Sequence, residues 1–102
     1  MDARTQLIAP RGELDVATNP AFRAAIQAAL ERSGERLVLD LSDVSFMSAG
    51  ALGVIARARA QVEKGKGRLY VICPSARLYR LFEIGGLTGK LDILASREAI
   101  PT

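Results

Sequence analysis

The sequence predicts an α/β fold: a mostly parallel central sheet of about four strands with helices packed on it. Three observations carry that expectation. Strand-like and helix-like stretches alternate along the chain, the pattern left by crossover connections between parallel strands. Leu37-Val38-Leu39 and Arg68 to Ile72 are short apolar runs bounded by turn residues, which marks strands covered on both faces. Between such runs, apolar residues recur three and four positions apart, as on one face of a helix. With 102 residues, 49% of them hydrophobic, the chain can build one core, and 1–102 is read as a single domain.

Taken in order, Thr5 to Ala9 reads as a strand, and Pro10 places it at a sheet edge because proline cannot donate to a ladder. Gly12 marks a bulge or turn. Asn19-Pro20 reads as a helix cap followed by proline in the first turn. Phe22, Ile26, Ala29 and Leu30 then share one face of that helix, and Ser33-Gly34 closes it with a left-handed glycine. The central strand is Leu37 to Leu39. Asp40 to Asp43 reads as a turn, and Val44, Phe46 and Met47 continue as a loop into Ser48. A second helix runs from about Ala49 to Lys64, with Leu52, Ile55, Ala56 and Arg59 on one face and closure at Gly65 and Gly67. Arg68 to Ile72 is the next strand. Cys73-Pro74-Ser75 turns the chain into a short helix bearing Leu78, Leu81 and Phe82, which Gly85-Gly86 ends. Leu91 to Leu94 is the last strand, and Ser96 caps a residual turn.

Composition narrows the function. The chain has no histidine and one cysteine, so the usual general base, a disulfide and a thiolate metal cluster are all missing. No cofactor is expected. The net charge of +3 is spread along the chain with acids among the bases, and the aromatics do not interleave with a basic patch, so no specific nucleic-acid binding is expected. No apolar run approaches a bilayer-spanning length, and Met1-Asp2-Ala3-Arg4 lacks the apolar stretch of a signal peptide. A cytoplasmic protein without membrane insertion is the expectation; nothing in the sequence sets an oligomeric state.

At its centre the chain resembles a known family. Asp40, Leu41, Ser42, Val44, Phe46 and Met47, then Leu52, Gly53, Val54 and Ile55, follow in order the signature of the STAS domain, the fold of bacterial anti-sigma factor antagonists. Gly12-Glu13-Leu14-Asp15 matches a second family segment. Pro74, Ser75, Leu78, Leu81, Ile84, Gly86 and Leu87 follow a third, looser one. Together the matches cover most of residues 11 to 94. The resemblance implies a partner-binding module whose ligand is an anti-sigma factor, typically a serine kinase of the histidine-kinase-like ATPase type. It implies further that a serine at the start of the second helix is the phosphoacceptor. Here the signature departs. Read without a gap, Ser48 takes the acidic position, Ala49 the phosphoserine position, Gly50 the next small residue and Ala51 the glycine. A gapped reading puts Ser48 on the phosphoserine slot but rotates the rest of the helix by about 100°.

The candidate partner surface is therefore Met47, Ser48, Ala49, Gly50 and Gly53, with Asp15 and Asp43 as neighbouring acids. Ser48 has two readings: an N-cap for the second helix, or a displaced phosphoacceptor candidate. Gly50 and Gly53 each cost about 1 kcal/mol against alanine in a helix, so something approaches closely there, either the domain's own sheet or a partner. Asp40 and Asp43 lack a nucleophile and base to work with, and the resemblance implies recognition instead. Cys73 reads as a buried, inert thiol. The alternative to a sigma-factor regulator is a non-phosphorylatable STAS subunit of a signalling complex or of a lipid-transport assembly.

Overall fold

The structure, a computed structural model, describes residues 5–32 and 36–101. The elements run β1 (Thr5–Ile8), β2 (Gly12–Leu14), α1 (Asn19–Leu30), β3 (Arg36–Asp40), β4 (Val44–Met47), α2 (Ala49–Lys64), β5 (Arg68–Ile72), α3 (Ala76–Ile84) and β6 (Asp92–Leu94), followed by a 3₁₀ turn at Arg97–Ala99. β1, β3, β5 and β6 form a parallel sheet in the order β1-β3-β5-β6, with β1 at one edge as expected, although it ends at Ile8, before Pro10. These are the four strands expected.

The expectation missed a second sheet. β4 pairs in parallel with β2, Gly12 opposite Val44 and Leu14 opposite Met47, so the segment read as a loop is a strand. Its sequence hides this. Val44 and Met47 point inward while Ser45 and Phe46 point out, which breaks strict alternation. The extra residue is taken up by a register shift at Gly12, whose φ of +79° is open to glycine.

Strand alternation divides the core in two. Leu37, Leu39, Leu69 and Val71 face all three helices, packing with Phe22, Ile26, Ile55, Val62, Leu78 and Phe82. Val38, Tyr70 and Ile72 face the other way and are closed over by Leu94 and Ile100 near the C-terminus. Both faces of β3 are covered, and Val38 is fully buried.

Several local expectations shift. α1 starts at Asn19 with Thr18 as the capping residue, so Asn19 lies inside the first turn and is free to reach elsewhere. α1 ends at Leu30; the proposed Ser33-Gly34 cap lies outside the described residues. On α2 the buried stripe is Ala51, Val54, Ile55, Ala58 and Val62: of the expected face Ile55 lies on it, while Leu52, Ala56 and Arg59 are only half-buried. Alanines at 51 and 58 let the helix lie close to the sheet, which a hydropathy pattern does not reveal. At its end Lys66, not a glycine, takes the positive φ of 65°. Ser75 caps α3 by accepting from the Leu78 amide at 3.2 Å.

Asp40 ends β3 and is almost wholly buried on the face away from the helices. One carboxylate oxygen accepts from the Ser42 hydroxyl and amide, and the other accepts from Arg97 Nε at 2.6 Å. Burial pushes its carboxyl up, but the Ser42 and Arg97 hydrogen bonds and the Arg97 charge outweigh it, and the net displacement is downward. A carboxyl whose folded pKa is depressed adds stability above its unfolded pKa and loses it as pH falls through the folded value. Asp40→Asn should therefore cost about 2 kcal/mol at neutral pH, and the gap to wild type should close as pH falls below about 4. Urea melts across that range check it; a pH-independent gap contradicts it.

Candidate functional site

The site begins where β4 hands over to α2. Ser48 leaves the strand with extended backbone, and its amide donates to the Leu14 carbonyl at 2.8 Å, which ties the start of α2 to the end of β2. Its hydroxyl oxygen accepts from the Ala51 amide at 3.2 Å, an N-cap worth about 1 kcal/mol. The Ala49 and Gly50 amides precede the first intrahelical bond and, with the helix dipole, make this end electropositive. Ala49 and Gly50 are exposed and Gly53 is half-buried.

A second contact to Ser48 comes from α1. Asn19 Nδ2 donates to Ser48 Oγ at 3.4 Å, while Asn19 Oδ1 is buried without a partner. A half-turn of that amide would let the oxygen accept the Ser48 hydroxyl proton instead. Either way Asn19 clasps the α2 start. The clasp explains Gly50: a Cβ there would stand 2.7 Å from Asn19 Nδ2. Inside the fold, what approaches Gly50 is thus the start of α1 and not the sheet, while its outer face stays exposed. At Gly53 a Cβ would meet only the Arg57 guanidinium, at 3.5 Å or more, so nothing inside the fold demands glycine there.

The other expected residues separate. Asp15 follows Leu14 and so sits beside Ser48. Its Oδ1 accepts from the Ala17 and Thr18 amides at 3.0 and 3.1 Å, which spends part of the carboxylate on the turn into α1. Asp43 is not a neighbour. It precedes β4 at the Gly12 end, where its carbonyl accepts from the Gly12 amide. The four residues of β4 lie between it and Ser48, a span of about 16 Å. Met47 is 2% exposed and belongs to the core, so its side chain offers no surface. Asp40, read beside Asp43 as a recognition acid, is the buried ion pair described above.

Two residues escaped the sequence reading as site members. Asn19 looked like a helix cap, and only the contact across 29 positions shows its other use. Phe46, read as part of the apolar loop leading into Ser48, is half exposed, beside Leu78 and Leu81 in a shallow cavity of about 570 Å³. The Arg77 guanidinium donates to the Ser45 carbonyl at 2.7 Å along its rim. The outward position of Phe46 in a two-strand ladder was the signal, unavailable while β4 was read as a loop.

Among the described residues no three His, Cys, Asp or Glu side chains gather to hold a metal, and no helix is long and apolar enough to cross a membrane. Burial pushes the Cys73 thiol up, and its sulfur lies 3.6 Å from the Ser75 carbonyl. A raised thiol pKa leaves little thiolate for nucleophilic work.

Comparison with known proteins places this geometry. The family profile described as the STAS domain matches residues 3–100. The anti-sigma-B factor antagonist of Bacillus subtilis (strain 168) is 39% identical over 87 residues, 85% of this chain and 79% of that protein. Its counterpart in Listeria monocytogenes is 35% identical over 82 residues, 80% of this chain and 72% of that protein. An anti-sigma factor antagonist from Mycobacterium paratuberculosis superposes with a TM-score of 0.81 at 26% identity, covering 96% of this chain and 83% of that one. The phosphorylated form of the Bacillus cell fate determinant SpoIIAA superposes with a TM-score of 0.72 at 24% identity, over 96% and 89% of the two chains. A match spanning nearly all of its length, with relatives above 30% identity, makes this chain a member of the STAS domain family.

Proposed function

We propose that this protein is a cytoplasmic, non-enzymatic interaction module, residues 1–102 acting as one domain, that binds an anti-sigma factor and so frees a sigma factor. The carrying observation is the similarity to proteins named anti-sigma-B factor antagonists, coupled to an exposed, small-residue α2 start at the segment that bears the family signature. The partner in this reading is a serine kinase of the histidine-kinase-like ATPase type. Its contact surface takes in Ser48, Ala49, Gly50, Gly53 and Asp15, where amides and small side chains admit close approach. Phe46 extends that surface toward α3.

The reading departs from a phosphorylation switch. Alanine at 49 has no hydroxyl to phosphorylate, and the Ser48 oxygen is already held by the Ala51 amide and Asn19. In this reading the domain binds its partner constitutively or is controlled by its abundance. The same observation favours the second reading, a non-phosphorylatable subunit of a signalling or lipid-transport assembly.

Affinity capture on the purified domain, with identification of the bound protein and a transcription assay, tests the proposal. The expected result is an anti-sigma factor held in a stoichiometric complex, and transcription restored when the domain is added to the inhibited sigma factor. Capture of a transporter ATPase or of a larger signalling assembly supports the second reading. A captured anti-sigma factor that keeps its sigma factor contradicts the first.

A further inference from the structure

The valley between α1 and α2 continues away from Ser48 and is built differently from the surface above it. α1 contains no acid, and the one acid of α2, Glu63, is bound to Arg59 at 2.8 Å. Two arginines are left. Arg23 and Arg57 face each other across a groove of about 370 Å³, with Gln27 and Gln61 further along its walls and the buried Ile26 and Val54 in its floor. Among the described residues neither Arg23 nor Arg57 makes a hydrogen bond or an ion pair. Arginine commonly finds a carboxylate or phosphate partner, because its planar fork matches two oxygens at once. Two exposed, unpaired arginines across an apolar floor are a complementary surface with the complement missing.

The groove is continuous with the candidate site. Arg23 lies one helical turn after Asn19, and Arg57 one turn after Gly53, so each wall starts from a residue of the α2-start surface. The Arg57 guanidinium lies within 4.0 Å of the position a Cβ on Gly53 would take. We propose that this groove is a docking site for an acidic amphipathic segment of the protein partner, with carboxylates on Arg23 and Arg57 and apolar side chains on the floor. The floor argues against a phosphate backbone or headgroup, which needs donors beneath it rather than Ile26 and Val54. Acidic side chains flanking an apolar row satisfy both parts. The groove would then set partner choice and association rate more than total affinity.

This proposal rests on the anti-sigma factor reading, and its test has two arms. In the first, isotope-labelled protein is titrated with a synthetic helical peptide carrying glutamates on both sides of a leucine row. Amide shifts are expected at Arg23, Gln27, Arg57 and Gln61, and the double variant Arg23→Glu/Arg57→Glu should bind the peptide about tenfold more weakly, with Arg23→Gln/Arg57→Gln between the two. In the second, the captured anti-sigma factor should bind the charge-reversed variant about tenfold more weakly and with less salt dependence, while Arg80→Glu on α3 changes little. Both arginines are exposed, so thermal melting should stay unchanged. Shifts elsewhere, tighter binding of phosphatidylserine vesicles than of the peptide, or an unaltered affinity of the reversed variant for the anti-sigma factor overturns the groove while leaving the function intact. If no anti-sigma factor is captured at all, the functional reading fails and the peptide arm alone decides the groove.

Discussion

Val38→Asp is expected to remove the cooperative thermal transition of this protein or to lower its midpoint by roughly 20 °C. Val38 is fully buried on the side of β3 away from the helices, against Tyr70 and Ile72. A carboxyl placed there adds an unpaired polar group and takes away packing, a combination that costs about 4 kcal/mol or more. For a domain this size each kcal/mol moves the midpoint by roughly 4–8 °C. The nearby Asp40 offers no relief, since it is a carboxylate already held by Arg97. Leu7→Asp is the control. Leu7 pairs in register with Val38 on β1 but is 40% exposed, so the same change there should cost far less. An unaltered melting point in Val38→Asp would mean that β3 is not the central, two-sided strand.

The second large effect separates binding from stability. Gly53→Arg should abolish partner binding while the protein melts at or slightly above the wild-type temperature. A side chain at 53 meets only the flexible end of Arg57, and replacing a helix glycine recovers up to about 1 kcal/mol of helix propensity. On the surface the same change adds a long charged chain where the fold leaves a gap, and sets like charges one turn apart, which drives the Arg57 guanidinium from its place. Wild-type affinity in a well-folded Gly53→Arg would remove the α2 start from the interface.

The fold was legible in the sequence where the physics is local. Apolar runs of the right length marked the four strands of the main sheet, and Pro10, Gly12, Ser48 and the glycines after α2 and α3 punctuated them at the right places. What stayed hidden depends on partners distant in sequence. β4 exists as a strand because Gly12–Leu14 lies beside it, and neither three-residue nor four-residue stretch alternates well enough to announce itself. The buried stripe of α2 runs through alanines, which hydropathy ranks low although they allow the closest approach. At the site, Ser48 as a cap could be read from residue type and position. The clasp from Asn19 could not, and neither could the separation of Asp43 from Asp15, because both follow from how β2 and β4 pair. Met47 was placed on the surface by motif proximity, whereas its position in β4 turns it into the core.

In the proposed function the α2 start binds its partner without a phosphorylation switch. A phosphate on Ser48 would add about −2 charge beside the helix amides, which the helix tolerates but a partner fitted to a neutral surface does not. Reaching that state requires a kinase to align an oxygen already bound by the Ala51 amide and Asn19. A misplacement of about 1 Å can cost 10²-fold in rate. Incubating the protein with the captured anti-sigma factor and ATP, locating phosphate by mass spectrometry and measuring complex affinity before and after tests this. No stoichiometric phosphate on Ser48 and an unchanged affinity are the expected result. Near-complete Ser48 phosphorylation that disappears in Ser48→Ala, with the modified form released from the partner, would contradict it.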